Sequence, residues 1–134
     1  MYLLDTDTIS NLVKPRPSPH LRRKLEQTPA EMLAISMITL MELYMGQQLS
    51  SQPELIRNFI EDWVLQTVTV IDFDHNQAKQ AASIQSKLRQ KGQTLDWLDV
   101  MIAACAVAKE WTLVTGNIRH FGRIPQLRVE NWLV

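Results

Sequence analysis

The chain has 134 residues, of which 46% are hydrophobic and 21% charged, so it fits one domain over residues 1–134 and is not a disordered chain. Lysine and arginine number 14, as do aspartate and glutamate, so the chain lacks the net positive charge that indicates nucleic-acid binding, although a neutral total permits a local basic patch. One cysteine excludes an intrachain disulfide and no apolar run is long enough to span a membrane, so we predict a cytoplasmic protein.

Five short apolar runs have the length of β-strands, and most of them contain β-branched or aromatic residues. In chain order they occupy residues 2–4, 32–35, 68–71, 112–114 and 127–129. Between the first two runs, Pro15, Pro17 and Pro19 indicate a loop. The piece before this loop is too small to fold alone, so the prolines do not mark a domain boundary.

Helical patterns lie between the later runs. Pro53 begins one whose apolar residues fall on a single face, a second covers residues 75–91 with Gly92 placed to end it, and a third covers residues 96–109. Strands that alternate with helices predict an α/β domain with a mainly parallel central sheet of four to five strands. Ligands bind beyond the carboxyl ends of the strands in such sheets, so the residues that follow each strand are the candidates for a site.

Three strongly apolar segments each carry an acid. Asp5 directly follows the first strand, Glu42 is the only charge within residues 35–43, and Asp99 is the only charge within residues 98–108. The helix that contains Asp99 is apolar nearly all round, which is the pattern of a buried helix. Acids are seldom buried unless they are paired or bind a metal, so these three residues are candidates for a common site.

Helix capping is an alternative explanation of the same acids. An N-cap residue and an acid three positions later form a capping box, and two pairs in this chain have that spacing. The residues assigned to capping on this interpretation are Asp7 or Thr6 for the first helix, Thr39 with Glu42, and Asp96 with Asp99. Capping does not exclude metal binding, because such a site can be built at a helix N-terminus.

The candidate ligands are all oxygen donors. Asn117 follows the strand at residues 112–114 and adds an amide oxygen, although Gly-Asn is also ordinary turn chemistry. Carboxylate and amide oxygens suit Mg²⁺ or Mn²⁺. The histidines His20, His75 and His120 are scattered, so a zinc site is not expected, and Cys105 lies among alanines and is predicted to be a small core residue.

Four motifs in this order resemble the PIN domain, and in particular the VapC-like toxins of type II toxin–antitoxin systems. They are L-L-D-T-D at residues 3–7, S-M-I-T-L-M-E-L at 36–43, D-V-M-I-A-A at 99–104 and L-V-T-G-N-I-R-H-F at 113–121, followed by R-I-P at 123–125 and Trp132. The resemblance covers essentially the whole chain. It implies the PIN-like three-layer α/β/α fold.

The resemblance also implies a function, a metal-dependent endoribonuclease that hydrolyses RNA phosphodiester bonds. Its catalytic residues would be Asp5, Glu42, Asp99 and Asn117, with Asp5 and Asp99 as ligands of Mg²⁺ (or Mn²⁺). Many relatives have an aspartate at the position of Asn117, so this chain keeps an oxygen ligand there but lacks a charge that a second metal ion would use. His120 stands where relatives often have an acid.

The partners implied by the resemblance are an RNA, with transfer or ribosomal RNA as the expected substrate, and a VapB-like antitoxin. Antitoxins of this family place a short C-terminal segment in the acidic groove, often through an arginine, which agrees with charge-assisted pairing to carboxylates. A homodimer is also expected, and a membrane is not.

Two other functions are compatible with parts of the sequence. Residues 5–8 fit the first four positions of the D-x-D-x-T opening of haloacid-dehalogenase-like phosphatases, in which Asp5 would be the nucleophile, but the later lysine and acidic pair of that family are missing. A non-catalytic module that binds RNA or protein would share the fold. The three retained acids argue against it, because a domain without a metal gains little from buried carboxylates.

Overall fold

The computed structural model describes all residues from 1 to 134, and its central sheet consists of five parallel strands. The strands are β1 (Tyr2–Leu4), β2 (Leu33–Ser36), β3 (Thr69–Ile71), β4 (Thr112–Val114) and β5 (Arg128–Glu130). Their order in the sheet is β3-β2-β1-β4-β5, so β1 lies at the centre between β2 and β4. The predicted sheet is confirmed, and three strands begin one residue later than the apolar runs indicated.

Helices connect every pair of consecutive strands, as parallel pairing requires. They are α1 (Thr6–Ser10), α2 (Pro19–Gln27), α3 (Met37–Leu49), α4 (Pro53–Asn58), α5 (Leu65–Thr67), α6 (His75–Gln90), α7 (Trp97–Lys109) and α8 (Ile118–Phe121). A π-helical segment, Phe59–Val64, joins α4 to α5, and short 3₁₀ turns occupy Asn11–Val13 and Ala30–Met32. None of the helices is long and apolar enough to cross a membrane.

Two hydrophobic clusters lie on opposite faces of the sheet, because neighbouring residues of a strand point to opposite sides. Leu3 belongs to a cluster of 17 buried residues that includes much of α6 and α7, whereas Leu4 belongs to a cluster of 11 that includes α2 and the π-helical segment. The sheet therefore has helices on both sides. This is the three-layer α/β/α arrangement that was predicted.

Helix α7 is buried through its middle, as its composition indicated. Every residue from Ile102 to Ala106 is fully buried, and this includes Cys105, the predicted small core residue. The side chain of Gln85 on α6 fixes the segment before α7, since its amide donates to the carbonyl of Leu95 at 2.7 Å and its carbonyl accepts from the amide of Leu95 at 3.3 Å. The start of α7, which carries Asp99, is thus held against α6.

The capping predictions for the first two acidic helices are wrong. Asp5, not Thr6 or Asp7, is the N-cap of α1, and its side chain accepts from the amide of Thr6. Ser36 caps α3 through the amide of Thr39, so Thr39 lies inside the helix. In both places a polar residue at the end of the strand, or directly after it, caps the helix, and the helix begins earlier than the sequence pattern implied.

Two further expectations about helix ends are corrected. Asp96 occupies the N-cap position of α7, but its side chain makes no capping hydrogen bond, so the Asp96–Asp99 capping box is not formed. Pro19 is the first residue of α2 rather than part of a loop, because Ser18 caps that helix and proline is well suited to its first position. Gly92, with φ of +67°, ends the α6 region as predicted.

Candidate active site

A cleft at the carboxyl edge of the sheet brings the predicted site residues together. Its volume is about 200 Å³, and hydrophobic side chains are absent from its walls. The residues that line it are Asp5, Thr6, Asp7, Glu42, Asp99 and Asn117. All four residues predicted to be catalytic are in this set. These four residues follow the ends of two strands or lie on two helices, so they are distant in the sequence and the fold brings them together.

Asp5 is the most buried acid of the cleft, with 6% of its surface exposed. Its backbone amide continues the β1–β4 ladder by donating to the carbonyl of Val114 at 2.9 Å. One carboxylate oxygen accepts from the amide of Thr6 at 2.8 Å, and the other accepts from the hydroxyl of Thr115 at 2.7 Å. The position and orientation of the Asp5 carboxylate are therefore fixed by the sheet, by α1 and by Thr115.

The pKa of Asp5 is raised from 3.8 to about 7. Burial is the largest cause, followed by the charge of Asp7, and the charge of Asp99 adds to both. The hydrogen bonds from Thr115 and Thr6 act in the opposite direction because they stabilise the charged form. The Asp5 carboxylate is thus fixed in position by hydrogen bonds, but no positive charge lies close enough to balance its own.

Glu42 reaches the cleft from the middle of α3, and its side chain is half-buried. The hydroxyl of Thr6 donates to Glu42 Oε1 at 2.6 Å and lies 3.1 Å from the hydroxyl of Thr39. Thr6 therefore links the start of α1 to α3. This leaves Glu42 Oε2 available to a group in the cleft.

Asp99 enters from the first turn of α7 and is half-buried. Burial is the largest cause that raises its pKa, and the charges of Asp96 and Glu42 raise it further, while His120 lowers it. Asp96 is exposed and outside the cleft lining, so it acts on Asp99 through charge alone. It is an additional acid near the site.

Asn117 lies at the end of the segment that follows β4. Its backbone amide donates to the hydroxyl of Thr115 at 3.0 Å, and its side-chain nitrogen lies 2.8 Å from Nδ1 of His120. The contact with His120 orients the side-chain amide and leaves its oxygen, Oδ1, free to face the cleft. His120 therefore acts here as a support for Asn117.

The sequence interpretation missed the residues that support the cleft acids. Thr115 is fully buried and holds Asp5, and Thr6 holds Glu42. Asp7 Oδ2 accepts from the amide of Gly116 at 3.0 Å. A Cβ on Gly116 would lie 2.9 Å from that oxygen and 2.8 Å from Leu133 Cδ1, so a larger residue there would displace the side chains of Asp7 and Leu133. The signal was present, because these residues lie within the four motifs, but one sequence does not separate ligands from supports.

The donor set fits a hard divalent cation. Each polar side chain of the cleft offers an oxygen ligand. No three His, Cys, Asp or Glu residues are close enough to hold an ion together, so at most two of the acids would bind it directly. Mg²⁺ is usually held by one or two carboxylates and keeps several waters, which agrees with Asp5 and Asp99 as direct ligands. No lysine lines the cleft, which is contrary to the phosphatase alternative.

Comparison with known proteins agrees with the geometry. Residues 2–127 match the PIN domain. The chain is 36% identical over 132 residues to Ribonuclease VapC2 of Haemophilus influenzae (98% of each chain) and 35% identical over 131 residues to the tRNA(fMet)-specific endonuclease VapC of Salmonella typhimurium (98% and 97%). Its structure superposes on VapBC2 from Rickettsia felis, solved bound to a promoter DNA fragment, with a TM-score of 0.89 at 34% identity over 98% of each chain. The chain therefore belongs to the PIN-domain family, and within it to the VapC ribonucleases.

Proposed function

We propose that this protein is the toxin of a toxin–antitoxin pair and an endoribonuclease that hydrolyses RNA phosphodiester bonds with Mg²⁺ or Mn²⁺ at the carboxylate cleft. The observation that carries the proposal is the cleft itself, in which six oxygen-bearing side chains meet at the carboxyl edge of the sheet and exclude apolar residues. Such a set suits a hard cation and a phosphate far better than an apolar ligand. Membership of the VapC ribonucleases supports RNA as the substrate.

The roles of the residues follow from their burial and contacts. Asp5 and Asp99 would hold the ion, because burial and the charges of neighbouring acids penalise both carboxylates and a cation would relieve this. Glu42 has one oxygen fixed by Thr6 and uses the other to orient the attacking water and accept its proton. Asn117 Oδ1 accepts a hydrogen bond from an ordered water in the cleft, since the side chain is oriented but uncharged.

A bound Mg²⁺ or Mn²⁺ supplies Lewis-acid chemistry, lowering the pKa of a water and neutralising charge that develops on the phosphate. The protein contributes position and protons. Thr6 and Thr115 prevent Glu42 and Asp5 from rotating away from the reacting groups. Held in this way, Glu42 orients the attacking water and accepts its proton as the water oxygen bonds to phosphorus and the P–O bond to the leaving ribose oxygen breaks; that oxygen takes a proton from solvent.

The experiment compares wild type, Asp99→Asn and the control Asp62→Asn, an exposed acid outside the cleft, on total RNA and on purified transfer RNA. Wild type and the control are expected to give discrete fragments with Mg²⁺ or Mn²⁺ and none with EDTA. Asp99→Asn should cleave more than about 100-fold more slowly, because loss of an outer-shell partner alone costs roughly 10–100-fold. Transfer RNA comes first because a relative is named for tRNA(fMet).

Two results would contradict this proposal. Cleavage that persists in EDTA would remove the metal from the mechanism. Equal cleavage by wild type and Asp99→Asn would remove the cleft from it, and would point to a contaminating nuclease if the fragments were identical.

We also propose a VapB-like antitoxin as the partner and a homodimer as the assembly. The similarity to the VapBC2 complex supports the antitoxin, and the acidic cleft supports recognition through a cationic side chain. On α3, the side chains Met37, Met41, Tyr44 and Met45 are exposed and share one face, which supports a protein interface on that helix.

A further inference from the structure

A second pocket lies between the C-terminal half of α6 and the loop that leads to β5. We call it the cationic pocket, because Lys87, Lys91 and Arg123 line it and no acid does. Leu88 and Ile124 form part of an apolar floor, and the volume is about 300 Å³, at the lower end of the range for small-molecule sites. Arg123 begins the R-I-P motif, for which the carboxylate cleft gives no role.

The two lysines of the pocket have no acidic partner. The only ion pair in the structure joins Arg57 to Glu54, on the surface of α4. Lys87 and Lys91 are four residues apart, so their like charges lie on one face of the helix and repel each other. An anion bound between them would convert this repulsion into attraction.

Arg123 is the most buried of the three cations. Its Nη1 reaches only the backbone carbonyls of Gln93 and Thr94, at the long distances of 3.4 and 3.5 Å. These contacts hold the guanidinium beside the pocket while leaving most of its donors unused. A planar guanidinium with free donors is well suited to a phosphate.

The cationic pocket and the carboxylate cleft are close to each other. Asn117 lines the cleft, Arg123 lines the pocket, and between them lies α8, a single helical turn about 6 Å long. The carbonyl of Thr94, which Arg123 contacts, lies two residues before Asp96, whose charge acts on Asp99. A single strand that crosses the cleft can therefore reach the pocket within a few nucleotides.

The substrate needs such a site, because the cleft by itself repels it. Four carboxylates line the cleft, and the net charge of the chain is zero, so attraction for a polyanion must come from cations placed elsewhere. The other basic cluster, Arg22, Arg23 and Lys24, is on α2, which packs against the opposite face of the sheet. Lys24 of that cluster lies over the ring of Trp132.

We propose that the cationic pocket is a subsite for a backbone phosphate of the RNA substrate, a few nucleotides from the scissile bond. Lys87 and Lys91 supply charge, Arg123 supplies directed hydrogen bonds, and the apolar floor accepts the face of an adjacent sugar or base. The inference rests on the proposed ribonuclease function and names the part of the surface that holds the substrate.

The test measures binding of a fluorescein-labelled single-stranded RNA oligomer by anisotropy, in EDTA so that the RNA stays intact. We expect Lys87→Gln/Lys91→Gln and Arg123→Gln each to bind at least about fivefold more weakly than wild type, and the control Arg22→Gln/Arg23→Gln to bind within about twofold of it. The slope of log affinity against log salt should fall by about 0.7 for each phosphate that a variant no longer neutralises. The two lysines are exposed, so their variant is expected to keep the wild-type melting temperature.

Equal weakening by the pocket and control variants, unchanged binding by the pocket variants, or no binding of RNA by wild type would each overturn the proposal. Competition with inorganic phosphate and with adenosine monophosphate identifies other sources of the anion. Tight binding of either small anion, with RNA affinity unaffected by Lys87→Gln/Lys91→Gln, would also overturn it.

The outcome is separable from that of the proposed function, since binding in EDTA does not require cleavage. If wild type cleaves RNA, the pocket variants should raise KM much more than they lower kcat. Cleavage with an unchanged KM would reject the pocket while leaving the nuclease in place.

Discussion

Burial raises the pKa of Asp5 to about 7 and the pKa of Cys105 to about 11, yet the two residues lie in unlike parts of the molecule. Asp5 lies where the central strand ends, among other acids and in reach of solvent through the cleft. Cys105 lies within α7, among residues that are fully buried and apolar. Burial therefore raises the pKa of a carboxylate that a cation in the cleft can contact and the pKa of a thiol that is enclosed by apolar side chains.

The cleft is a site of crowded charges, whereas the middle of α7 is a packed core. In the cleft, the fold places several carboxylates close together despite their repulsion, and amide and hydroxyl donors hold Asp5 in place. In the middle of α7, burial only removes a thiol from water, and the thiol stays protonated and unreactive. A raised pKa marks a functional site when fixed partners and other charges accompany it, and marks ordinary packing when they do not.

The largest effect is expected from Asp5→Asn, which removes the buried charge. Cleavage should fall by more than about 100-fold, since even outer-shell changes at metal sites cost roughly 10–100-fold. Because the folded pKa of Asp5 lies above its unfolded value, its contribution to stability is full below about pH 4 and is lost as pH rises towards about 7. In EDTA at pH 8, the variant should therefore be more stable than wild type, by at most about 4 kcal/mol.

The measurement is urea unfolding at a series of pH values between 4 and 8, in EDTA, on wild type and Asp5→Asn. The gap between the two should open across this range and level off above about pH 7. Adding Mg²⁺ or Mn²⁺ should stabilise wild type and leave the variant nearly unchanged. A wild type that becomes more stable from pH 4 to 7 relative to Asp5→Asn would reverse the sign and refute the account of Asp5.

A smaller effect is expected from Thr115→Val, which keeps the shape of the side chain but removes its hydroxyl. Asp5 is then deprived of a 2.7 Å hydrogen bond that stabilises its charged form, and the amide of Asn117 is deprived of its acceptor. Stability should fall by about 1–3 kcal/mol, and metal affinity by roughly 10-fold or more, because the pKa of Asp5 rises further. The matched control is Thr112→Val, at the start of β4, the strand that Thr115 directly follows, because Thr112 makes no hydrogen bond to Asp5.

Isothermal titration with Mn²⁺ at two pH values tests this role against a merely structural one. If Thr115 acts through Asp5, the loss of affinity should be larger at pH 6 than at pH 8, because a larger fraction of Asp5 is ionised in both proteins at the higher pH. An equal loss at both pH values would mean that Thr115 supports the fold alone.

The sheet and the acids of the cleft could be predicted from the sequence alone. Short apolar runs that alternate with helical patterns have few ways to fold, and Asp5 and Asp99 stood out because charge is costly in apolar segments. The supporting roles of Thr6 and Thr115 could not be predicted, because Thr6 contacts Glu42 across 36 positions of the chain and Thr115 contacts Asp5 across 110. Such contacts depend on strand order, which one sequence does not state.

Capping was misassigned for a related reason. The pattern S/T-x-x-E at Thr39 and Glu42 is a valid local signal, but Ser36 ends β2 and caps α3 before Thr39 can. The register of the sheet, which decides where the strand stops, therefore overrides the local pattern. The π-helical segment after α4 was missed as well, because its apolar residues fit an ordinary helix equally well.

The smallest effect is expected from Cys105→Ala, at the packed end of the comparison. The substitution removes one buried sulfur atom, so stability should fall by roughly 1 kcal/mol, while RNA cleavage stays within about twofold of wild type. In the native protein the thiol should resist a maleimide or disulfide reagent at pH 8, since it is both fully buried and protonated, and it should react in urea at the rate of unfolding. Rapid labelling of folded wild type, or a large loss of cleavage in Cys105→Ala with the fold intact, would show that the middle of α7 contributes to the function of the cleft. If neither is observed, the catalytic contribution of α7 is confined to its first turn, which carries Asp99, and the turns that follow serve only to pack the core.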